Sequence, residues 1–316
     1  MQTWRRKGGD CRSVGVLLFD QFSNHCLANA IEPLRAANTL SRRRLYHWRF
    51  LGIDGAPVLS SSGLPVTPEG TLSRAAGGDL LFVMPSYGFR AHAGPATLRA
   101  LRAASRRFKV LAGLDTGAWL LAAAGLLDGR QATIHWDERG ALAEAFPEVD
   151  VRAERFVIDG NRMTCGGVTT AFDLVLALIH GHHGSMLALE VASLFMPGMP
   201  AIAADLPPTA ARQVQAAVAL MRAHLETPLP IPALATRLGL GQKALGRLFH
   251  AELGRTPQAV YRTLRLREAR RLAEHSRHGI AEIATRCGYA DAAAMTRAFR
   301  AEFGTTPSAD RAAARG

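Results

Sequence analysis

The chain is poor in cysteine, with four in 316 residues, and none of Cys11, Cys26, Cys165 and Cys287 stands in a CxxC pair. Zinc-finger ligation and thioredoxin-type redox chemistry therefore lack their ligands. Unpaired thiols fit a reducing compartment. No apolar run approaches the roughly 20 residues that a membrane-spanning helix needs. The basic stretch Met1 to Asp10 leads directly into Val14-Gly15-Val16-Leu17-Leu18-Phe19. That run is too short for a secretory core with a cleavage site and reads as a first buried strand, so a cytoplasmic protein is expected. His180, His182 and His183 cluster without a matching cysteine or carboxylate array. They are read as a helix-end cap; no metal site and no cofactor are expected.

Hydrophobic residues, by contrast, make up 48% of the chain, and its length suits two domains with real cores. The net charge is +12, and its distribution is lopsided. From residue 209 onward 17 Lys and Arg face 8 Asp and Glu, so +9 lies there and only +3 in residues 1–208. A positive field on one end suits a polyanion-binding module, although a solubilising surface has the same composition.

Residues 13–205 alternate short strand-like runs with helical stretches. Strands are predicted at Val14–Phe19, His47–Ile53, Leu80–Met84, Phe108–Leu114 and Ala132–His135. A hairpin is predicted from Arg155–Ile158 and Arg162–Cys165 across Asp159-Gly160. Helices are predicted at Asn24–Asn38 with Ser23 as N-cap, Pro95–Ser105, Gly117–Ala124, from Asp137, Phe172–Ile179 and Met186–Phe195. Such alternation implies a mostly parallel sheet covered on both faces. Pro197, Pro200, Pro207 and Pro208 then break the pattern. Helical periodicity returns from Arg212 to Glu226, and short helices separated by Gly and Pro follow to Arg311. The expected organisation is a flexible N-terminus at 1–12, an α/β domain at 13–198, a linker at 199–209 and an all-α domain at 210–316.

The all-α part repeats itself. Ala235-Thr236-Arg237-x-Gly239, Leu245-x-Arg247-x-Phe249 and Ala251-Glu252-x-Gly254-x-Thr256-Pro257 return as Ala284-Thr285-Arg286-x-Gly288, Met295-x-Arg297-x-Phe299 and Ala301-Glu302-x-Gly304-x-Thr306-Pro307. The offset is 49 residues before the turn and 50 after it, so the second turn holds one extra residue. Each copy reads as a helix-turn-helix, with Gly239 and Gly288 supplying a positive φ in the turn. Leu245, Leu248 and Phe249 point inward in the first unit, and Met295, Ala298 and Phe299 in the second. Gln242, Lys243 and Arg247, and Ala292, Ala293, Thr296 and Arg297 after the N-cap Asp291, are left for DNA. Arg pairs bidentately with guanine and Gln with adenine, while Ala and the Thr methyl suit thymine methyls. A salt bridge or phosphate clamp is the alternative role for Arg247 and Arg297, and Lys243 suits a phosphate. The joining helix Gln258–His275 carries Arg262, Arg265, Arg267, Arg270 and Arg271, read as a solvated, partly phosphate-facing surface.

These motifs, with Tyr261, Ile283-Ala284-x-x-x-Gly288-Tyr289 and Arg297-x-Phe299-Arg300-x-x-Phe303-Gly304-x-x-Pro307-Ser308, make residues 210–311 resemble the AraC/XylS-type transcriptional regulators. The resemblance implies two helix-turn-helix units joined by a long helix. One departure is Asp310-Arg311, where the family has Tyr-Arg; weaker packing of the last helix is expected from it.

In the α/β part, Gly113-Leu114-Asp115-Thr116-Gly117 sits where a strand becomes a helix, the kind of elbow on which many α/β enzymes expose a nucleophile. Together with Ala124-Gly125-Leu126-Leu127-Asp128-Gly129-Arg130 and Ala132-Thr133-Ile134-His135-Trp136, it resembles the PfpI-type, class I glutamine amidotransferase-like domain. That implies a flavodoxin-like, parallel sheet. The superfamily's elbow carries Cys; here it carries Asp115, a poor acyl-transfer nucleophile, so no enzyme and no catalytic residues are expected. An elbow carboxylate suits a cation, and Trp119, His135 and Trp136 are near it in sequence or on the next element. Asp115, Glu32, Thr116, Trp119, His135 and Trp136 form the candidate ligand set. A helix cap for Asp115, a core position for the tryptophans and a buried acceptor role for Glu32 are the alternatives.

Ile31-Glu32-Pro33-Leu34-Arg35-Ala36-Ala37-Asn38 and the Asp-type elbow resemble the GlxA-like branch of these regulators, including activators of glycine betaine, carnitine and arginine catabolism. In the superfamily a first-helix Glu lies near the elbow, and Glu32 matches that place. The resemblance implies a homodimeric activator that binds double-stranded promoter DNA, RNA polymerase and a small cationic or zwitterionic effector, with no membrane partner. An N-terminal domain that only dimerises or binds a partner, and a PfpI-type amidase or protease fused to a DNA anchor, are the alternatives.

Overall fold

A computed structural model describes residues 11–195 and 210–315. The chain divides into two compact units, Met1–Leu194 and Phe195–Gly316. The expected linker at 199–209, with Pro197, Pro200, Pro207 and Pro208, lies outside the described residues, as does Met1 to Asp10.

The first unit runs β1 (Arg12–Leu18), α1 (Asn24–Ser41), β2 (Tyr46–Gly52), β3 (Val58–Leu59), β4 (Pro65–Val66), β5 (Gly70–Thr71), β6 (Gly78–Met84), α2 (Pro95–Ala104), β7 (Phe108–Gly113) and α3 (Gly117–Ala123). It continues with β8 (Gln131–Ala132), α4 (Arg139–Ala145), β9 (Asp150–Val151), β10 (Phe156–Asp159), β11 (Arg162–Cys165), α5 (Val168–His183) and α6 (Ser185–Phe195). Seven strands form one sheet in the order β10-β11-β7-β6-β1-β2-β5. All pair in parallel except the β10–β11 hairpin. Because side chains alternate along a strand, β1 sends Val14, Val16 and Leu18 to one face and Leu17 to the other. The first face packs on α1, α5 and α6, the second on α2 and α3. Each fully buried Leu or Phe contributes about 2 kcal/mol by leaving water. Ser23 caps α1 by accepting from the Cys26 N–H at 3.2 Å, as its position predicts.

Two expectations fail here. Of the predicted strand 132–135 only Ala132 enters a ladder, as part of β8, which pairs with β9. The rest is held otherwise: the Thr133 N–H donates to Thr164 Oγ1 at 2.8 Å and the His135 N–H to the Asp115 carbonyl at 3.2 Å. The histidine cluster does not act as one helix-end cap: His180 is exposed, whereas His182 and His183 pack on Tyr46. His182 is buried with Nδ1 2.8 Å from the Tyr46 hydroxyl, and His183 stands edge-on to the Tyr46 ring. The end of α5 is closed by the Gly184 N–H on the His180 carbonyl.

The second unit is helical: α7 (Ala210–Ala223), α8 (Ile231–Arg237), α9 (Gln242–Leu253), α10 (Pro257–His275), α11 (Ile280–Arg286), α12 (Ala292–Phe303) and α13 (Pro307–Arg315). Leu234, Ala235, Leu245 and Phe249 are buried in the first helix-turn-helix and Ile283, Ala284, Met295 and Phe299 in the second. Gly239 and Gly288 take φ of +66° and +69° in the two turns. At Gly288 an added Cβ would lie 2.6 Å from the Leu225 carbonyl oxygen, so that turn needs glycine for space as well as for φ. Within this unit the central α10 packs against both helix-turn-helix motifs, and its Leu266, Ala269 and Ala273 complete the core of the second motif.

Candidate functional site

The elbow lies at the carboxyl ends of the parallel strands, where open α/β sheets bind ligands. Strand β7 ends at Gly113, and Asp115 turns the chain with φ of +58°. Asp is among the few residues that tolerate this left-handed region. An added Cβ at Gly117 would lie 2.2 Å from the Val83 carbonyl oxygen, so only glycine lets α3 start this close to β6. The Thr116 hydroxyl donates to the Ser86 carbonyl at 3.0 Å, and the Ser86 hydroxyl donates to the Asp115 carboxylate at 2.7 Å.

Asp115 is not an exposed carboxylate, as its elbow position suggests; it is only 4% exposed. Burial raises its carboxyl above the usual range, and the Ser86 hydrogen bond and nearby His135 pull it partly back. Cys26 on α1 and Cys165 at the end of β11 are both buried close enough for the Asp115 charge to act on them. Burial pushes the Cys165 thiol up to about 12 and raises Cys26 strongly. Both thiols are therefore neutral near pH 7, and a neutral thiol is a poor nucleophile.

The predicted ligand set only partly converges. Asp115, Thr116 and His135 meet at the elbow. Trp136 follows His135, 67% exposed with its ring 5.5 Å from the imidazole. Trp119 instead packs between Phe89 and Phe146, and the Arg90 guanidinium lies 4.6 Å over its ring. Its cation–π partner is thus already supplied by the chain. Glu32 is paired with Arg35 at 2.7 Å, with its side chain 43% exposed. Cys26, in the first turn of α1, is near enough for the Asp115 charge to act on it; Glu32 lies six residues further along the helix. Sequence reasoning missed Cys26, Ser86 and Tyr87. Tyr87 follows Ser86 and is 66% exposed. Its signal was the position of Pro85-Ser86-Tyr87, directly after β6 at a carboxyl strand end.

In the helical unit, Gln242, Lys243 and Arg247 are exposed on α9, and Ala293 and Arg297 on α12; Ala292 and Thr296 are half-buried there. The Asp291 side chain accepts from the Ala294 N–H and caps α12. Among the described residues neither Arg247 nor Arg297 forms an ion pair, so the salt-bridge role has no support.

The arginines of α10 correct the solvated-surface reading. Arg265 donates to the carbonyls of Cys287 and Gly288 at 2.7 and 2.5 Å and stacks 4.1 Å over Tyr289. Arg270 pairs with Asp310 at 2.6 Å, and Arg271 with Glu268. Burial lowers Arg267 to about 10. Only Arg262 of the five is an exposed side chain without a carboxylate partner among the described residues. The Asp310-Arg311 departure also does not loosen α13. Asp310 is buried against Arg270, and Arg311 donates to the carbonyls of Ala273 and His278 at 3.1 and 2.6 Å.

A nucleophile elbow without its thiolate, carried on a parallel sheet and followed by a duplicated helix-turn-helix, defines a regulator built on an amidotransferase-like domain. Residues 12–181 match the DJ-1/PfpI family and residues 234–313 a helix-turn-helix domain family. The transcriptional regulator CdhR of Pseudomonas aeruginosa is 38% identical over 304 residues, covering 94% of this chain and 90% of that protein. The transcriptional regulator GlxA of Rhizobium meliloti is 37% identical over 310 residues, covering 94% and 95%. An AraC family transcriptional regulator from Pseudomonas putida superposes with a TM-score of 0.53 at 28% identity, covering 58% of this chain and all of the other. An isonitrile hydratase from Pseudomonas putida is 31% identical over 172 residues, 52% of this chain and 69% of that enzyme. The chain belongs to the AraC/XylS family of transcriptional regulators, in the GlxA-like group with a DJ-1/PfpI domain. It is a DNA-binding regulator, and no helix among the described residues is long and apolar enough to cross a membrane.

Proposed function

We propose that this regulator activates transcription in response to a small cationic or zwitterionic metabolite, such as a betaine or basic amino acid, bound at the elbow. The observation that carries this reading is the buried Asp115 carboxylate, which accepts from the Ser86 hydroxyl and lies near enough to His135 to feel its charge; Ser86 and His135 are each followed by a largely exposed aromatic side chain. A carboxylate with aromatic faces beside it suits an ammonium or guanidinium group. Asp115, Thr116, His135 and Trp136 are the proposed contacts, with Tyr87 and Ser86 added. Gln242, Lys243, Arg247, Ala292, Ala293, Thr296 and Arg297 are the proposed DNA contacts. The protein acts as a homodimer on promoter DNA and engages RNA polymerase. The effector selects one arrangement of a pre-existing equilibrium.

The test is thermal stability of the full chain against a panel of amino acids, betaines and polyamines. A ligand at a hundred times its Kd stabilises by roughly 2.7 kcal/mol. A shift that disappears in Asp115→Ala supports the reading. A panel without any shift, with promoter DNA still bound, leaves the first unit as a dimerisation or partner-binding module. Hydrolase activity is disfavoured by the neutral, buried Cys26 and Cys165. Hydrolysis abolished by a thiol-directed reagent would reverse that.

A further inference from the structure

Gly246 occupies the middle of α9, a helix of 12 residues. Glycine is the poorest helix former after proline, so an interior glycine calls for a reason. Two reasons within a protein are common: a positive φ, or a neighbour that a Cβ would strike. Neither applies. Gly246 is not among the glycines of positive φ, and an added Cβ meets nothing within 4 Å. A side chain at Gly246 would therefore enter open space on α9, among the described residues, beside the side chains read as DNA contacts.

Gln242 and Lys243, one turn earlier, and Arg247 beside it are exposed, as is His250 one turn later. The 50-residue repeat places Gly246 in register with Thr296 of α12. The major groove is about 12 Å wide and an α-helix with its side chains measures roughly 10–12 Å across, so the fit is close and one side chain on the leading face sets the depth. We propose that Gly246 is the point of closest approach between the first recognition helix and duplex DNA, and that its missing side chain lets α9 seat deeper than α12. This rests on the reading of α9 as a base-contacting helix. The deeper seat brings Gln242 and Arg247 to the base edges, so Gly246 determines specificity without touching a base through a side chain.

The experiment uses the full chain and two duplexes of equal length, one enriched by the wild type from a random library and one unrelated. Gly246→Ala is expected to raise the melting temperature of the helical unit by about 4 °C, since alanine is the better helix former. It is expected to weaken the enriched duplex by about ten-fold and to leave the unrelated duplex, held through phosphates, within about two-fold. Gly246→Leu weakens the enriched duplex further. If Gly246→Ala aggregates, Gly246→Ser takes its place with the same expectation. A stabilised Gly246→Ala that binds the enriched duplex as tightly as wild type overturns the proposal. Arg247→Ala separates the two levels. If it loses about ten-fold or more while Gly246→Ala loses nothing, only the close approach fails. If Arg247→Ala also binds fully, α9 is not the reading helix and both fall.

Discussion

Arg265→Ala perturbs the connection between the long helix and the second helix-turn-helix. The wild-type guanidinium donates to the last two carbonyls before Tyr289, those of Cys287 and Gly288, and lies over the Tyr289 ring. Hydrogen bonds from a charged donor contribute about 1.5–3 kcal/mol each. The side chain is half-buried, so the lower end applies to both. The ring contact adds about 0.5–1 kcal/mol. Removing all three destabilises the helical unit by about 3.5–4 kcal/mol. Arg265→Lys keeps the charge but loses the planar fork and the stacking, and is expected to recover less than half of that. The assay is urea unfolding of the full chain, with amide hydrogen exchange across 284–292 as a local readout. Exchange there should accelerate in Arg265→Ala while α8 and α9 keep their protection. DNA binding should fall through the second unit. If Arg265→Ala unfolds within about 0.5 kcal/mol of wild type, the value expected of an ordinary surface change, the clamp reading is refuted.

Three further outcomes follow from the same physics. The Asp115 carboxyl is raised in the folded chain, so its contribution to stability is present below its unfolded value of 3.8 and is lost as pH rises through the raised folded value. Asp115→Asn should therefore equal wild type in acid and be the more stable near pH 7, as equilibrium unfolding across pH will read. Gly239→Ala and Gly288→Ala occupy equivalent turns, but only the second strikes backbone. The first should cost about 1 kcal/mol from its φ and the second clearly more, measured as midpoint shifts in denaturant. Asp310→Ala leaves Arg270 with Glu274 at 3.4 Å as its remaining carboxylate. The loss should be about 2–3 kcal/mol, and Arg270→Ala combined with it should add little in a double-mutant cycle.

Local pattern carried much of this molecule. The β10–β11 hairpin across Asp159-Gly160, the Ser23 and Asp291 caps and the two positive-φ glycines were all legible, because turn and cap chemistry acts within a few residues. The duplicated helix-turn-helix was legible because a repeat compares the chain with itself. Trp119 and the α10 arginines were misread because their partners are remote in sequence. Phe89, Phe146, Cys287 and Asp310 reach them only through packing. Glu32 was read as an elbow residue, but how exposed a first-helix side chain is depends on how α1 docks on the sheet, and there Glu32 is part-exposed and paired with Arg35.

The sequence by itself determined the architecture: a parallel α/β unit, a helical unit that reads DNA, and an elbow that holds a carboxylate where a thiol would be needed. Periodicity, turn residues and residue identity are local quantities, and they survive without coordinates. Only the tertiary structure decided the state of that carboxylate. Its burial, its bond from Ser86, the two neutral thiols beside it and the aromatic residues that follow its partners come from separate strands and helices. Dielectric and proximity are properties of that assembled environment, and no single segment contains them.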